Sequence, residues 1–299
     1  MDGLAPLARR WGLPLLWLAV PFLAGPSFAD ALDPRSRPIQ LTASLGLWAL
    51  WAIALLGMLV PRTVSLTLVR ITVPASVAAA AWAALLVPDG AGGPEAVALG
   101  ITTLTAIVSL SAPIGEQFVN GSAYGEERRL PLRPPGPLVL GPIEVVWALV
   151  VAGAVAGPML LAAEQWVPGA LATVAGWAVA VLGVRSLHQL ARRWVVFVPA
   201  GMVLVDTTVL TDALLARRHR VARLGPARVE NAALDLTAGS LGLALQLEFT
   251  EPEVVVPVPP GRRRGDASTT PLRVEAVTFT PSRSSSVLRE AARRRLPVG

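Results

Sequence analysis

The side chains able to do chemistry in this chain fall in three places. The densest is the segment 115–129, where Glu116, Asn120, Tyr124, Glu126, Glu127, Arg128 and Arg129 bring together carboxylates, an amide, the single tyrosine and paired arginines. Such a mixture can coordinate a cation through oxygen or hold a polar ligand between opposite charges. The competing reading is a solvated connector whose arginines fix topology. The second place is Arg70 and Glu144, ionisable residues inside apolar stretches. Charge in a bilayer is costly, so the two are expected near one membrane face, either as a structural pair or as a proton or ion site. The third is Arg262-Arg263-Arg264 in the polar run 259–270, which offers guanidinium forks to an anionic headgroup or is simply solvated.

Catalytic constellations are otherwise missing from the sequence. There is no cysteine, and the two imidazoles, His188 and His219, have no acid at the local spacing of a dyad. No phosphate-binding glycine loop, HExxH helix, dinucleotide fingerprint or G-x-S-x-G elbow is present. The expectation is a protein that is not an enzyme, with no catalytic residue, metal, cofactor or nucleic-acid partner.

The elements that must carry these residues are set by hydropathy. With 53% hydrophobic and 15% charged residues and a mean hydropathy of +0.57, the chain belongs to the membrane class. Six stretches, near 11–29, 39–60, 66–87, 95–113, 138–163 and 169–187, approach the ~20 residues a helix needs to cross a ~30 Å hydrocarbon core. Proline and glycine at 87–90 and 166–169 read as tight turns, and 114–137 as a polar loop. The first stretch has two readings. Its Arg9-Arg10 head and Ser27-Phe28-Ala29 before Asp30 fit a cleavable signal peptide; a retained helix is the preferred expectation.

Arginine placement sets orientation. With both termini inside, Arg9, Arg10, Arg62, Arg70, Arg128, Arg129, Arg133, Arg185, Arg192 and Arg193 flank the cytoplasmic side, and only Arg35 and Arg37 lie outside. Gly153 and Gly157 let another backbone approach the fifth span, with packing inside the chain's own bundle expected and the oligomeric state open. Trp11, Trp48, Trp51, Trp147, Trp166 and Trp194 are expected as interface anchors.

Beyond Arg192-Arg193 the apolar period changes to two. Strands are expected at 194–199, 202–206, 219–224, 233–237, 243–250, 253–257 and 272–280, then a serine-capped amphipathic helix at 282–295. Residues 1–191 hold ten arginines against ten carboxylates, and 192–299 hold sixteen against ten, so the net charge of +6 sits on the C-terminal part. The predicted fold class is an α-helical polytopic membrane bundle of about six transmembrane helices, followed by a small cytoplasmic β-rich domain.

About seven short strands closed by one C-terminal helix resemble bacterial pleckstrin-homology-like domains, which implies a partly open barrel plugged by that helix. At whole-chain level, FVNGSAYGEERRLPLRPP (118–135) and RSLHQLARRWVVFVPAGMVLVD (185–206) resemble multi-pass plasma-membrane proteins of actinobacteria with no assigned activity. The resemblance implies architecture and location and brings no catalytic residue. The expected partners are the lipid bilayer and, at the cytoplasmic face, a protein or anionic lipid headgroups, contacted by a membrane-anchored binding or scaffolding module. The alternative is a small secondary transporter using Glu144 and the 116–133 loop.

Overall fold

The computed structural model describes residues 4–87, 91–228, 232–258 and 270–299. The chain divides into a helical unit, Met1–Gly121 with Val145–His188, and a β unit, Ser122–Glu144 with Gln189–Gly299. The helices are α1 (Leu4–Leu32), α2 (Arg37–Leu59), α3 (Thr63–Leu85), α4 (Gly93–Leu110), α5 (Ala112–Asn120), the single turn α6 (Gly136–Val139), α7 (Pro142–Ala162), α8 (Trp166–Leu190) and α9 (Ser284–Arg293). Six of them, α1 to α4, α7 and α8, are long and apolar enough to cross a membrane. The segment 114–137, expected as one polar loop, is instead divided. Its start belongs to α5 in the helical unit, and its remainder folds with the C-terminal residues.

Proline in α1 and α3 shows how these helices hold together. Pro21 has no N–H to offer the Trp17 carbonyl four residues back. That carbonyl accepts from Trp51 Nε1 of α2 at 3.0 Å, and Trp17 Nε1 donates to the Trp51 carbonyl at 2.9 Å. In hydrocarbon no water can satisfy a freed acceptor, so the reciprocal indole bond is what makes Pro21 tolerable. Trp51→Phe is expected to cost ~0.6–1.7 kcal/mol, the range for one interhelical hydrogen bond in a membrane. In a Pro21→Ala background the cost should shrink, because an alanine N–H restores the intrahelical donor. Thermal unfolding of the four proteins in detergent measures this, and equal costs in both backgrounds would refute the account.

Helix α1 runs unbroken through Ala29-Asp30, and its Leu13, Trp17, Val20 and Ala24 are buried. The buried face of α4 is polar: Thr102, Thr105 and Ser109 are enclosed, each donating to a carbonyl of its own helix. Between α7 and α8 the backbones touch. A Cβ on Gly153 would meet the Gly176 carbonyl oxygen at 2.5 Å, and one on Gly157 would meet Thr173 at 2.3 Å. The two glycines therefore serve packing inside the chain's own bundle.

The β unit holds two four-stranded sheets. The first has the order β1 (Arg128–Pro131), β2 (Trp194–Val198), β3 (Gly201–Val205), β4 (Leu214–Arg217), all antiparallel neighbours. After the 3-10 turn Arg218–Arg220 come β5 (Val221–Pro226), β6 (Leu234–Asp235), β7 (Leu245–Val255) and β8 (Leu272–Phe279), arranged β5-β7-β8-β6 with β6 parallel to β8. Both sheets and α9 contribute to one core, in which Leu130, Phe197, Leu247, Phe279, Val287 and Ala291 are buried together. Isolated bridges at Leu132–Pro281 and Leu210–Pro257 link the sheets, and no closed barrel forms among the described residues.

Two strands depart from expectation in informative ways. β7 runs through Pro252 as one strand, its register with β8 shifting between Glu248 and Glu253, so the proline occupies an irregularity rather than a break. β1 comes from the segment between spans. Because β1 and β2 share a ladder, residues 128–131 and 194–198 lie on the same side of any membrane, so α7 and α8 between them cross as a pair. Trp194, expected as an interface anchor, sits in β2 beneath the Arg129 guanidinium, 5.7 Å from its ring centroid.

Candidate functional site

The residues singled out at 115–129 are distributed over both units. Glu116 and Asn120 lie on α5, where Asn120 Nδ2 donates to the Glu116 carbonyl at 2.7 Å. Tyr124 is exposed at a turn closed by the Glu127 amide donating to its carbonyl at 3.1 Å. Arg129 pairs with Glu127 at 2.9 Å and donates to Ser122 Oγ at 3.2 Å. The hydrogen bond that Arg129 donates to Glu127, helped by the Tyr124 amide, holds the Glu127 carboxyl below the usual carboxylate range. The Glu126 carbonyl accepts from Arg294. The segment from Tyr124 to Arg129 thus builds the lead-in to β1 and ties it to the end of α9.

What fastens the interspan segment is an ion pair that the sequence does not reveal, although Arg193 itself reads there as a flanking cation. Arg193 and Asp206 form a two-pronged ion pair, Nε to Oδ1 at 2.8 Å and Nη2 to Oδ2 at 2.6 Å, with side chains 1% and 0% exposed. Arg193 Nη1 also donates to the Arg133 carbonyl at 2.6 Å, while the Thr208 amide and hydroxyl donate to Asp206 Oδ1. Further along, Ser240 Oγ donates to the Pro134 carbonyl at 2.8 Å. Gly136 lies so close that a Cβ there would meet the Gly239 carbonyl oxygen at 2.0 Å. The signal was present as an arginine at the first strand and an aspartate at the end of the second, but charge in a strand reads as exposed unless the pairing register is known.

Among the described residues the second sheet carries a cleft of about 910 Å3, lined by Arg228, Asp235, Gln246, Glu248, Arg273 and Glu275 among others. Its floor is ordered by hydrogen bonds: Arg223 donates to Glu248 Oε1 at 3.0 Å, and Gln246 Nε2 to the same oxygen at 3.2 Å. Arg273 and Glu275, on β8, are exposed at the rim. The cleft offers both signs of charge on a fixed sheet, suited to a polar ligand or polypeptide. Its residues escaped sequence reasoning, although the outward positions of β7 and β8 alternate with the core positions Leu245, Leu247 and Val277.

Comparison with protein-family models, curated proteins and solved structures finds no match. The site therefore stands on its own geometry. Among the described residues no cluster of three His, Asp or Glu side chains is placed to hold a metal. His188 Nδ1 is hydrogen-bonded to Thr67 Oγ1 at 2.9 Å, and His219 is exposed. Glu144 is an exposed residue in the first turn of α7 that joins no ion pair among the described residues. Arg70 likewise joins none, and its Nε is buried without a hydrogen-bond partner. The arginine run Arg262-Arg263-Arg264 lies outside the described residues.

The seam between α9 and the interspan segment is expected to respond to pH through Glu290. Partial burial pushes the Glu290 carboxyl up, but hydrogen bonds from Arg293 and Arg294 outweigh it and hold the group below the usual carboxylate range. A folded-state value below the unfolded one means stabilisation is present above the ordinary carboxylate range and is lost as pH falls through the depressed value. Acid unfolding followed by hydrogen exchange of α9 should therefore show a steeper pH dependence in the parent protein than in Glu290→Gln. Superimposable profiles would rule the contribution out.

Proposed function

We propose that this chain is a membrane-anchored binding module of a bacterial, actinobacterial plasma membrane, whose β unit is a cytoplasmic, pleckstrin-homology-like docking domain. The observation that carries the reading is the cleft over β5-β7-β8-β6, a preformed surface of mixed charge on a unit stitched to the spans at three points of the chain. The cytoplasmic placement rests on the arginine excess. Counting 122–144 with the β unit adds three arginines and three glutamates, so its surplus of six positive charges is unchanged. That surplus favours an acidic protein segment, or anionic headgroups beside the bilayer.

The test exchanges charge at the cleft rim without touching the core. In-cell crosslinking of tagged full-length protein, compared with an Arg273→Glu, Glu275→Arg variant of equal net charge, should recover a partner with the parent and lose it with the variant. An identical set of crosslinks from both would sink the proposal.

A second reading, a small secondary transporter, draws on the enclosed polar face of α4. Its hydroxyls are occupied by their own helix, which weighs against it. Glu144→Gln separates the two: a transporter coupled through that carboxylate loses flux, whereas a docking module keeps its rim-dependent partner.

A further inference from the structure

Arg70 sits on one face of α3 with Thr63 and Thr67, at spacings of seven and three residues that bring the three into one row. The row is bounded by other helices of the same unit. At Thr67, His188 Nδ1 of α8 lies 2.9 Å from the hydroxyl oxygen. At Ile71, Trp147 Nε1 of α7 donates to the backbone carbonyl at 3.0 Å. Arg70 is thus held between the contact that fixes α8 and the contact that fixes α7. One turn further on, Pro74 leaves the Arg70 carbonyl without its intrahelical donor, so the backbone there is also short of a partner.

The guanidinium is the difficulty. It stays charged at any physiological pH, its Nε is fully enclosed, and no carboxylate or hydrogen-bond acceptor is paired with it among the described residues. An enclosed charge without a counter-ion is strongly unfavourable, more so in a span. The residue is only half-buried, so its remaining donors have an opening. The Thr67 hydroxyl, shared between His188 Nδ1 and the Thr63 carbonyl at 3.2 Å, lies in the same row of α3, and that helix begins beside the exposed Arg62. An arginine fork beside a hydroxyl and an imidazole suits an oxyanion such as a phosphate group and repels a cation.

We propose that Arg70, with the Thr67–His188 pair, forms an oxyanion site in the helical unit that takes a phosphate group. The phosphate belongs to an anionic phospholipid or is free in solution. The site shares no residue with the cleft and does not depend on the docking role.

The test uses the full chain in phosphatidylcholine nanodiscs, with thermal unfolding read by intrinsic fluorescence. In one arm phosphatidylglycerol replaces phosphatidylcholine stepwise. In the other, inorganic phosphate is titrated at constant ionic strength. The unfolding temperature should rise saturably in at least one arm, and the responding arm names the source. Arg70→Gln should weaken that response at least tenfold, and Arg70→Lys, which keeps the charge but loses the fork, should weaken it less. Arg62→Gln, which removes the same charge from the same end of α3, should leave it unchanged. If Arg70→Gln does not accumulate, Thr67→Val takes its place and should weaken the response at least threefold. No saturable response in either arm, or parallel responses of the parent and Arg70→Gln or Thr67→Val, overturns the site.

Discussion

Arg193→Ala is expected to destabilise the β unit by about 3–5 kcal/mol, the cost of leaving one partner of a buried ion pair alone. Asp206 would be left without its counter-ion in a place with no solvent, and the Arg133 carbonyl would lose a short donor. Against a typical stability of about 5–15 kcal/mol, such a loss consumes much of the margin. Asp206→Ala should be comparable, since it strands Arg193 and both donors of Thr208. The informative variant is the double replacement Arg193→Met, Asp206→Leu. It removes both charges and should recover a large part of the loss, because a well-packed apolar pair can replace a buried ion pair. Hydrogen exchange of β2, β3 and β7 peptides in the full-length protein measures all three. A single variant within about 0.5 kcal/mol of the parent, the range of an ordinary surface change, would show that the pair is not what secures this seam.

The second large effect is expected at Leu130, a residue that reads as part of a connector between spans. It lies 2% exposed in β1, opposite Val195, and belongs to the core shared by both sheets and α9. Leu130→Ala should cost about 2–5 kcal/mol through lost burial and a residual cavity. The loss should appear as faster exchange in β2, β3 and α9, distant in sequence. The neighbouring Arg128→Ala, exposed on the same strand, should do far less. If Leu130→Ala changes exchange only in residues 122–135, the interspan segment is an appendage and not a strand of the core.

The helical half was largely legible because its signal is local. Twenty apolar residues make a span whatever surrounds them, and all six stretches correspond to helices with ends displaced by a few residues, as between 95–113 and Gly93–Leu110. The tertiary half was less so. Leu130 and Leu132 carry the same alternation as any strand, yet four residues flanked by Glu-Glu and Pro-Pro look like a linker until a partner strand is supplied. β4, with its alternation Leu214, Leu215, Ala216, Arg217, was hidden in the same way by brevity. The serine expected to cap α9 is displaced too: Arg283 occupies the cap position and Ser284 Oγ donates to the Leu243 carbonyl, because docking to the sheet outweighs a local cap. Of the residues selected for chemistry, Arg70 was singled out from the cost of its charge alone, with Glu144 as its expected partner. The cleft was not, since it is made by the outward faces of strands whose pairing no local pattern specifies.

The ladder between β1 and β2 also makes the protein's biogenesis self-reporting. During synthesis β1 leaves the ribosome well before β2, with both α7 and α8 made in between. Until that helical pair has entered the bilayer and turned back, β1 has no neighbour, and Leu130 and Leu132 remain open to chaperones and proteases. A chain in which only one of the two helices inserts would strand β1 and β2 in different compartments and never complete the unit. Completion of the β unit is therefore expected only in molecules in which α7 and α8 have entered the bilayer as a pair.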